Sequence, residues 1–219
     1  THANREAGTV KRTEANMHVR IDEEVFTVED VEKLGVRVGD FLCFEPHYTE
    51  TPSGFVKSKF MDNKAGCFVL FELARIFEGK NIPVQLFFSN YEEVGHGAAA
   101  GYAETIDEMI CIDMAVVGDV LTGTEQVCTI CVKDSTGPYD YEMRKKLVTL
   151  SKENKIDYTL DVYPYYGSDG SAALRAGNDF RVALIGMGVS ASHGIERTHK
   201  KGIKATVDMC KVYIEDYMK

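Results

Sequence analysis

From Phe55 onward the chain alternates short apolar runs with longer amphipathic ones, and this alternation limits the possible folds more than any other feature. Apolar strands are expected near 55–60, 82–88, 109–113, 126–132, 158–162 and 181–185. Helices are expected near 64–78, 138–154, 169–176 and 200–218. Strands separated by helices give an α/β layered fold, a mixed central sheet flanked by helices. The run 82–88, IPVQLFF, is rich in β-branched and aromatic residues and reads as a strand buried on both faces. The helix from Pro138 has proline at its start and carries Glu142, Arg144, Lys145 and Lys146, so it should lie on the surface. The last helix places Ile203, Val207, Cys210, Ile214 and Tyr217 at helical spacing, a packing stripe with no chemistry.

The first part of the chain has a different texture. Segments 17–22 and 40–45 alternate with period two, as short strands do, and 28–35 between them reads as a short helix closed by glycine. This predicts a small β-rich module over residues 1–50 without catalytic groups. The stretch 47–54, with Pro52 and several hydroxyl residues, marks the boundary to a second domain over 51–219.

Composition excludes some classes of function. The 219 residues carry 25 basic and 34 acidic side chains, a net charge of −9, which argues against binding nucleic acid. No apolar run approaches the ~18 residues of a membrane-spanning helix and no signal peptide opens the chain, so no membrane partner and a cytoplasmic location are expected. Cys128 and Cys131 have C-x-x-C spacing but fall in a predicted strand with no second such pair, which reads as structural. Cys43, Cys67, Cys111 and Cys210 sit in apolar surroundings and read as small hydrophobes in a reducing compartment.

The candidate chemistry lies where strands end. Segment 89–99, SNYEEVGHGAA, runs from an apolar strand into two adjacent carboxylates and then glycine. In open α/β sheets ligands bind at the carboxyl ends of strands, and side chains there point in different directions, so Glu92 and Glu93 can take different jobs. Adjacent acids are ordinarily a solvated turn, but other acids join them. Asp62 opens the helix that follows Phe60, where helix capping is the competing reading. Asp113 ends a buried strand, where an ionised carboxylate needs a cation or donors around it. His193 follows the strand 181–185. Carboxylates with a histidine suit one or two divalent ions of the zinc or cobalt type.

The segments MDNKAG, YEEVGHGAAAG, CIDMAVVGD, YYGSDGSAAL and SASHGIERTH, in this order, resemble the M42 family of metallo-aminopeptidases, some members of which are labelled endoglucanase. The resemblance runs from about Val10 to the C-terminus. It implies a zinc-exopeptidase-like catalytic domain over 51–219, with residues 1–50 belonging to an inserted dimerisation domain. It implies two divalent ions, zinc or cobalt, with Asp62 bridging them, Glu93 and His193 on one and Asp113 on the other. Glu92 would be the general base. Asp169 resembles an aspartate near the site and is assigned no metal. His199, six residues after His193, competes with it, but the resemblance favours His193, and the run 196–199, ERTH, reads as the opening of the final helix. Short peptides are the implied substrates, and dimers assembling into a dodecamer the implied homo-oligomer.

The family pattern includes an earlier ligand histidine, upstream of the insert. This sequence starts within that insert, and none of His2, His18 and His47 stands in the ligand context. The chain therefore reads as part of a longer one, with one metal site short of a ligand. Two other functions stay open. A glycoside hydrolase would use two carboxylates without metal, with Tyr139, Tyr141, Tyr163, Tyr165 and Tyr166 in place of the absent tryptophan. The other is an inactive truncated subunit.

Overall fold

The computed structural model describes residues 5–103 and 106–219. The chain divides into two compact units, Thr1–Cys43 and Phe44–Lys219.

In the first unit the only regular elements among the described residues are a single 3-10 turn at Glu14–Asn16 and helix α1, Val28–Lys33. A reciprocal cap starts α1: the Thr27 hydroxyl accepts from Asp30 N–H, and the Asp30 carboxylate accepts from Thr27 N–H, both at 3.2 Å. The expected strands at 17–22 and 40–45 do not form, so the β-rich reading of this part is corrected. Period-two alternation marks a face that needs a partner strand, and here neither segment is paired. Phe41 in the second segment is 98% exposed and Phe26 beside α1 is 89% exposed.

The second unit is built on a mixed sheet. Strands β1 (Thr49–Glu50) and β2 (Phe55–Ser58) lead into helix α2 (Met61–Ile76). Then come β3 (Glu108–Ile112), β4 (Ala115–Val116), β5 (Cys128–Lys133), α3 (Tyr141–Glu153), β6 (Tyr158–Val162) and α4 (Asp169–Arg175). The chain ends with β7 (Arg181–Val189), β8 (Glu196–His199) and α5 (Lys200–Tyr217). The main sheet has the order β3-β7-β5-β6. β3 runs parallel to β7, with Met109 opposite Val182, while β5 is antiparallel to β7 and parallel to β6. β1, β2 and β8 make a small antiparallel sheet in which Ser58 faces Glu196.

β7 is the centre of the core because both of its faces are covered. Ala183, Ile185, Met187 and Val189 pack with α2, α3 and α5, whereas Val182 and Leu184 pack on the other face with Cys111, Cys131 and Tyr163. Such a strand reads as one apolar run, as 181–185 does. The two cysteines of the C-x-x-C spacing are both free and sit on opposite faces of β5, Cys128 in the first cluster and Cys131 in the second.

Three local expectations change. Segment 82–88 joins no ladder: Ile82, Val84 and Leu86 pack on the core, but a cleft of about 700 Å³ lies between the segment and β3, and its backbone pairs with no strand among the described residues. Helix α3 starts from Asp140, whose carboxylate caps Met143 N–H at 2.8 Å, two residues after the proline expected to open it. The run ERTH, expected to open the last helix, forms β8. No helix among the described residues is long and apolar enough to cross a membrane.

Candidate metal centre

The carboxyl ends of β3 and β7 point to one cavity of about 450 Å³. Asp62, Glu92, Glu93, Asp113, Asp169 and His193 all line it, with Arg175 the one arginine or lysine in its wall among the described residues. Five carboxylates around one guanidinium and one imidazole leave the cavity short of positive charge.

Asp62 reaches the cavity because it does not cap α2. Asp62 and Asn63 depart from helical dihedral angles at the head of the helix. Asn63 Oδ1 accepts from Gly66 N–H at 3.1 Å, and Asn63 Nδ2 donates to the Ile112 carbonyl at 2.7 Å, tying the helix start to the end of β3. The Asp62 carboxylate is thereby free, and its Oδ2 accepts from the Ser192 hydroxyl at 2.9 Å. Glu92 and Glu93 stand on a single 3-10 turn, Glu92–Val94, entered through Tyr91 with φ +65° and left through Gly95 with φ +81°. His193 lies between β7 and β8 with φ +64°, a left-handed backbone setting that few residues other than glycine adopt.

His193 Nε2 is 3.4 Å from Asp62 Oδ2 and 3.3 Å from Glu93 Oε2. One ligand atom from each of the three residues lies within 4.8 Å of the others. Tetrahedral zinc with bonds of roughly 2.0–2.1 Å has ligand atoms about 3.3–3.4 Å apart, so the donor set fits a divalent ion in spacing and in chemistry. Asp113 lines the same cavity but stands outside this cluster. Its Oδ1 accepts from Met114 N–H at 2.7 Å.

Crowding of acids shifts their protonation. Burial, then the charges of Asp169, Glu93 and Asp62, push the Glu92 carboxyl up to about 7, against the opposing pull of His193. Burial and Asp62 raise Glu93, and burial followed by Asp62 holds Asp113 well above the ordinary carboxylate range. Asp169 is raised by burial although the Ser89 hydroxyl donates to its Oδ2. Its Oδ1 is buried and finds no hydrogen-bond partner among the described residues. Gly97 sits against that atom: a Cβ there would lie 2.1 Å from Asp169 Oδ1 and 2.9 Å from the Glu92 Cα.

His199 belongs elsewhere. Its Nδ1 accepts from Lys201 N–H at 3.0 Å at the start of α5, so its Nε2 carries the proton and donates to the Ser53 carbonyl at 2.9 Å. His18 and His47 are not in the ligand cluster, and His2 lies outside the described residues. Ser192, Asn63 and Glu196 were not singled out by sequence. Glu196 sits in a polar run whose residues look solvated, and only its burial reveals it.

A mixed sheet whose strand ends converge on carboxylates and an imidazole has solved counterparts among aminopeptidases. The aminopeptidase APDkam598 from the archaeon Desulfurococcus kamchatkensis superposes with a TM-score of 0.79 at 23% identity, over 88% of this chain and 58% of that one. The Pyrococcus horikoshii TET1 peptidase, described as able to assemble into a tetrahedron or a large octahedral shell, gives 0.75 at 21% identity, over 85% and 57%. These establish a shared fold. The chain belongs to the M42 glutamyl aminopeptidase family, whose pattern matches residues 1–209. YhfE of Bacillus subtilis (strain 168), which carries an aminopeptidase name, is 41% identical over 221 residues. That match takes in 99% of this chain, and the chain spans 64% of the length of that relative.

Proposed function

We propose that this chain carries the catalytic part of a metal-dependent aminopeptidase that removes N-terminal residues from short peptides. The observation that carries the reading is the meeting of Asp62, Glu93 and His193 within 4.8 Å beside Glu92, a carboxyl poised near neutral pH. Asp62, Glu93 and His193 would hold one divalent ion, zinc or cobalt, and Asp113, in the same cavity wall, would serve a second. Such ions, when bound, polarise a peptide carbonyl and lower the pKa of water to about 7.

Glu92 takes the proton from the attacking water and delivers it to the leaving amine. A base tuned near the working pH does this best. Burial holds the Asp113 and Asp169 carboxyls toward the neutral form, so each takes on charge only beside a cation, such as a bound metal ion or the N-terminal amine of a substrate. The apolar cleft sharing Glu92, Glu93, Asp113 and Asp169 with the cavity gives room for substrate side chains.

A glycan substrate is less well supported. Tyr163 is buried and the Tyr139 hydroxyl is committed to Asp134 and Ser168, which leaves Tyr165 as the exposed tyrosine in the cavity wall. Exposed Phe26, Val38 and Phe41 in the first unit favour its use in self-association, in line with the assembling TET1 relative. Six unpaired cysteines suit a reducing, cytoplasmic setting.

The test is release of amine from chromogenic aminoacyl amides with added zinc or cobalt, beside N-acetylated controls and soluble glucans. Chelator-sensitive release that needs a free N-terminal amine supports the reading. Metal-independent cleavage of glucan would overturn it.

A further inference from the structure

The two loops that bring Asp62 and His193 together are far apart in sequence, and one buried side chain joins them. Glu196, on β8, is 2% exposed. Its Oε2 accepts from the backbone N–H groups of Met61 and, at 3.1 Å, of Asp62. Its Oε1 accepts from His193 N–H at 3.1 Å. The register of β8 with β2, which sets Glu196 opposite Ser58, puts the carboxylate under both segments at once. Neighbouring Arg197 turns instead to Glu125 at 2.6 Å. All the hydrogen-bond partners found for Glu196 are therefore main-chain donors of the two ligand-bearing loops.

We propose that Glu196 is a positioning residue for the metal site, a carboxylate strut that fixes the Asp62 and His193 backbones at ligand spacing; this rests on the metal-site reading above. The residue type is dictated by the job. Three N–H donors from two directions need an acceptor at both ends of the side chain, and an ionised carboxylate has only acceptors. Glutamine offers one oxygen and must turn an N–H₂ toward a donor, so it can hold one loop but not both. Aspartate keeps both oxygens but is shorter by one methylene. Phe60 and His193, with φ +64° at both, are uncommon backbone settings beside the strut, and it helps to keep them.

The test is zinc affinity of the metal-free chain, read by competition with a chromogenic chelator, for the parent, E196Q, E196D, D161N and D62A. Groups that orient metal ligands cost about 10–100-fold in affinity when changed, and that loss is expected for E196Q and E196D. Asp161 is similarly buried and caps Thr122 and Gly123, but lines neither cavity. D161N should lower the melting temperature while zinc affinity stays at the parental value, which separates positioning from stability. Parental zinc affinity in folded E196Q and E196D would overturn the proposal. Should E196Q fail to fold, E196D still decides. Amide hydrogen exchange of the parent adds a check: rapid exchange at His193, whose side chain is exposed, would also overturn it. If D62A binds zinc as well as the parent, the metal-site reading itself fails; if D62A loses zinc and the Glu196 variants do not, only the strut fails.

Discussion

Glu92→Gln should stabilise the metal-free protein at alkaline pH while abolishing turnover. The Glu92 carboxyl moves from its usual 4.5 to about 7 because burial and three neighbouring acids oppose its charge. Its native pKa is raised, so between those two values the folded chain holds more protons on Glu92 than the unfolded chain does. Stability then falls as pH rises through that window. At 1.36 kcal/mol per tenfold step, the full penalty above pH 7 is about 3.4 kcal/mol. Glu92 is only partly buried, and solvent screening reduces this to about 1–2 kcal/mol. Glutamine has the same shape and no charge, so E92Q should be more stable than the parent by that amount at pH 8 in chelator. At pH 5 about a quarter of the advantage remains. For a unit of this size this means a rise of about 2–8 °C in melting temperature at pH 8. Urea and thermal unfolding of both proteins, with chelator, at pH 5 and pH 8 give the comparison. Equal stability of the two proteins at pH 8, or the same difference at both pH values, would refute the claim that Glu92 is held among like charges. Saturating zinc should shrink the pH 8 difference, since a bound cation balances the acids.

Other outcomes follow from the same geometry. Asp62→Ala should lose both metal and turnover, whereas E92Q should keep its metal content nearly unchanged, both measured by elemental analysis after gel filtration. Gly97→Ala drives a methyl into Asp169 Oδ1 and the Glu92 backbone; a loss of about 1–3 kcal/mol in urea unfolding is expected, with reduced turnover in the folded fraction. A chromogenic disulfide reagent should titrate exposed Cys43 fast and half-buried Cys67 more slowly. Cys111, Cys128, Cys131 and Cys210 should stay silent until denaturant is added, because burial raises all four thiols, Cys128 and Cys131 to about 12.

The sheet was legible wherever a strand is buried on both faces. The run 181–185 announces itself because it is apolar from Val182 onward, and the strand it forms, Arg181–Val189, is buried everywhere but at Arg181. The run 82–88 carries the same signal and does not pair, since a strand also needs a neighbour at its edge, and its own sequence cannot supply one. β8 was invisible for the opposite reason. Glu196, Thr198 and His199 are polar yet buried, each satisfied by a backbone partner contributed from elsewhere in the fold. The same holds at Asp62, where the choice between capping and a place in the site was decided by Asn63, which took over the cap. The end of β3 marked Asp113, whereas Glu92 and Glu93 follow a run that pairs with no strand among the described residues, and the family resemblance chose His193 over His199. The Glu196 strut that holds their loops shows only in the folded arrangement, where its carboxylate is buried beneath both. In the first unit, period two was read as strand, and the absence of a pairing partner left the alternating residues exposed.

The most direct measurement is calorimetric titration of zinc into the metal-free chain, repeated with Asp62→Ala and His193→Ala. The account predicts at least one equivalent bound tightly by the parent and that binding lost in both variants. Zinc binding by the variants equal to that of the parent, or none by the folded parent, would contradict a metal centre built from Asp62, Glu93 and His193.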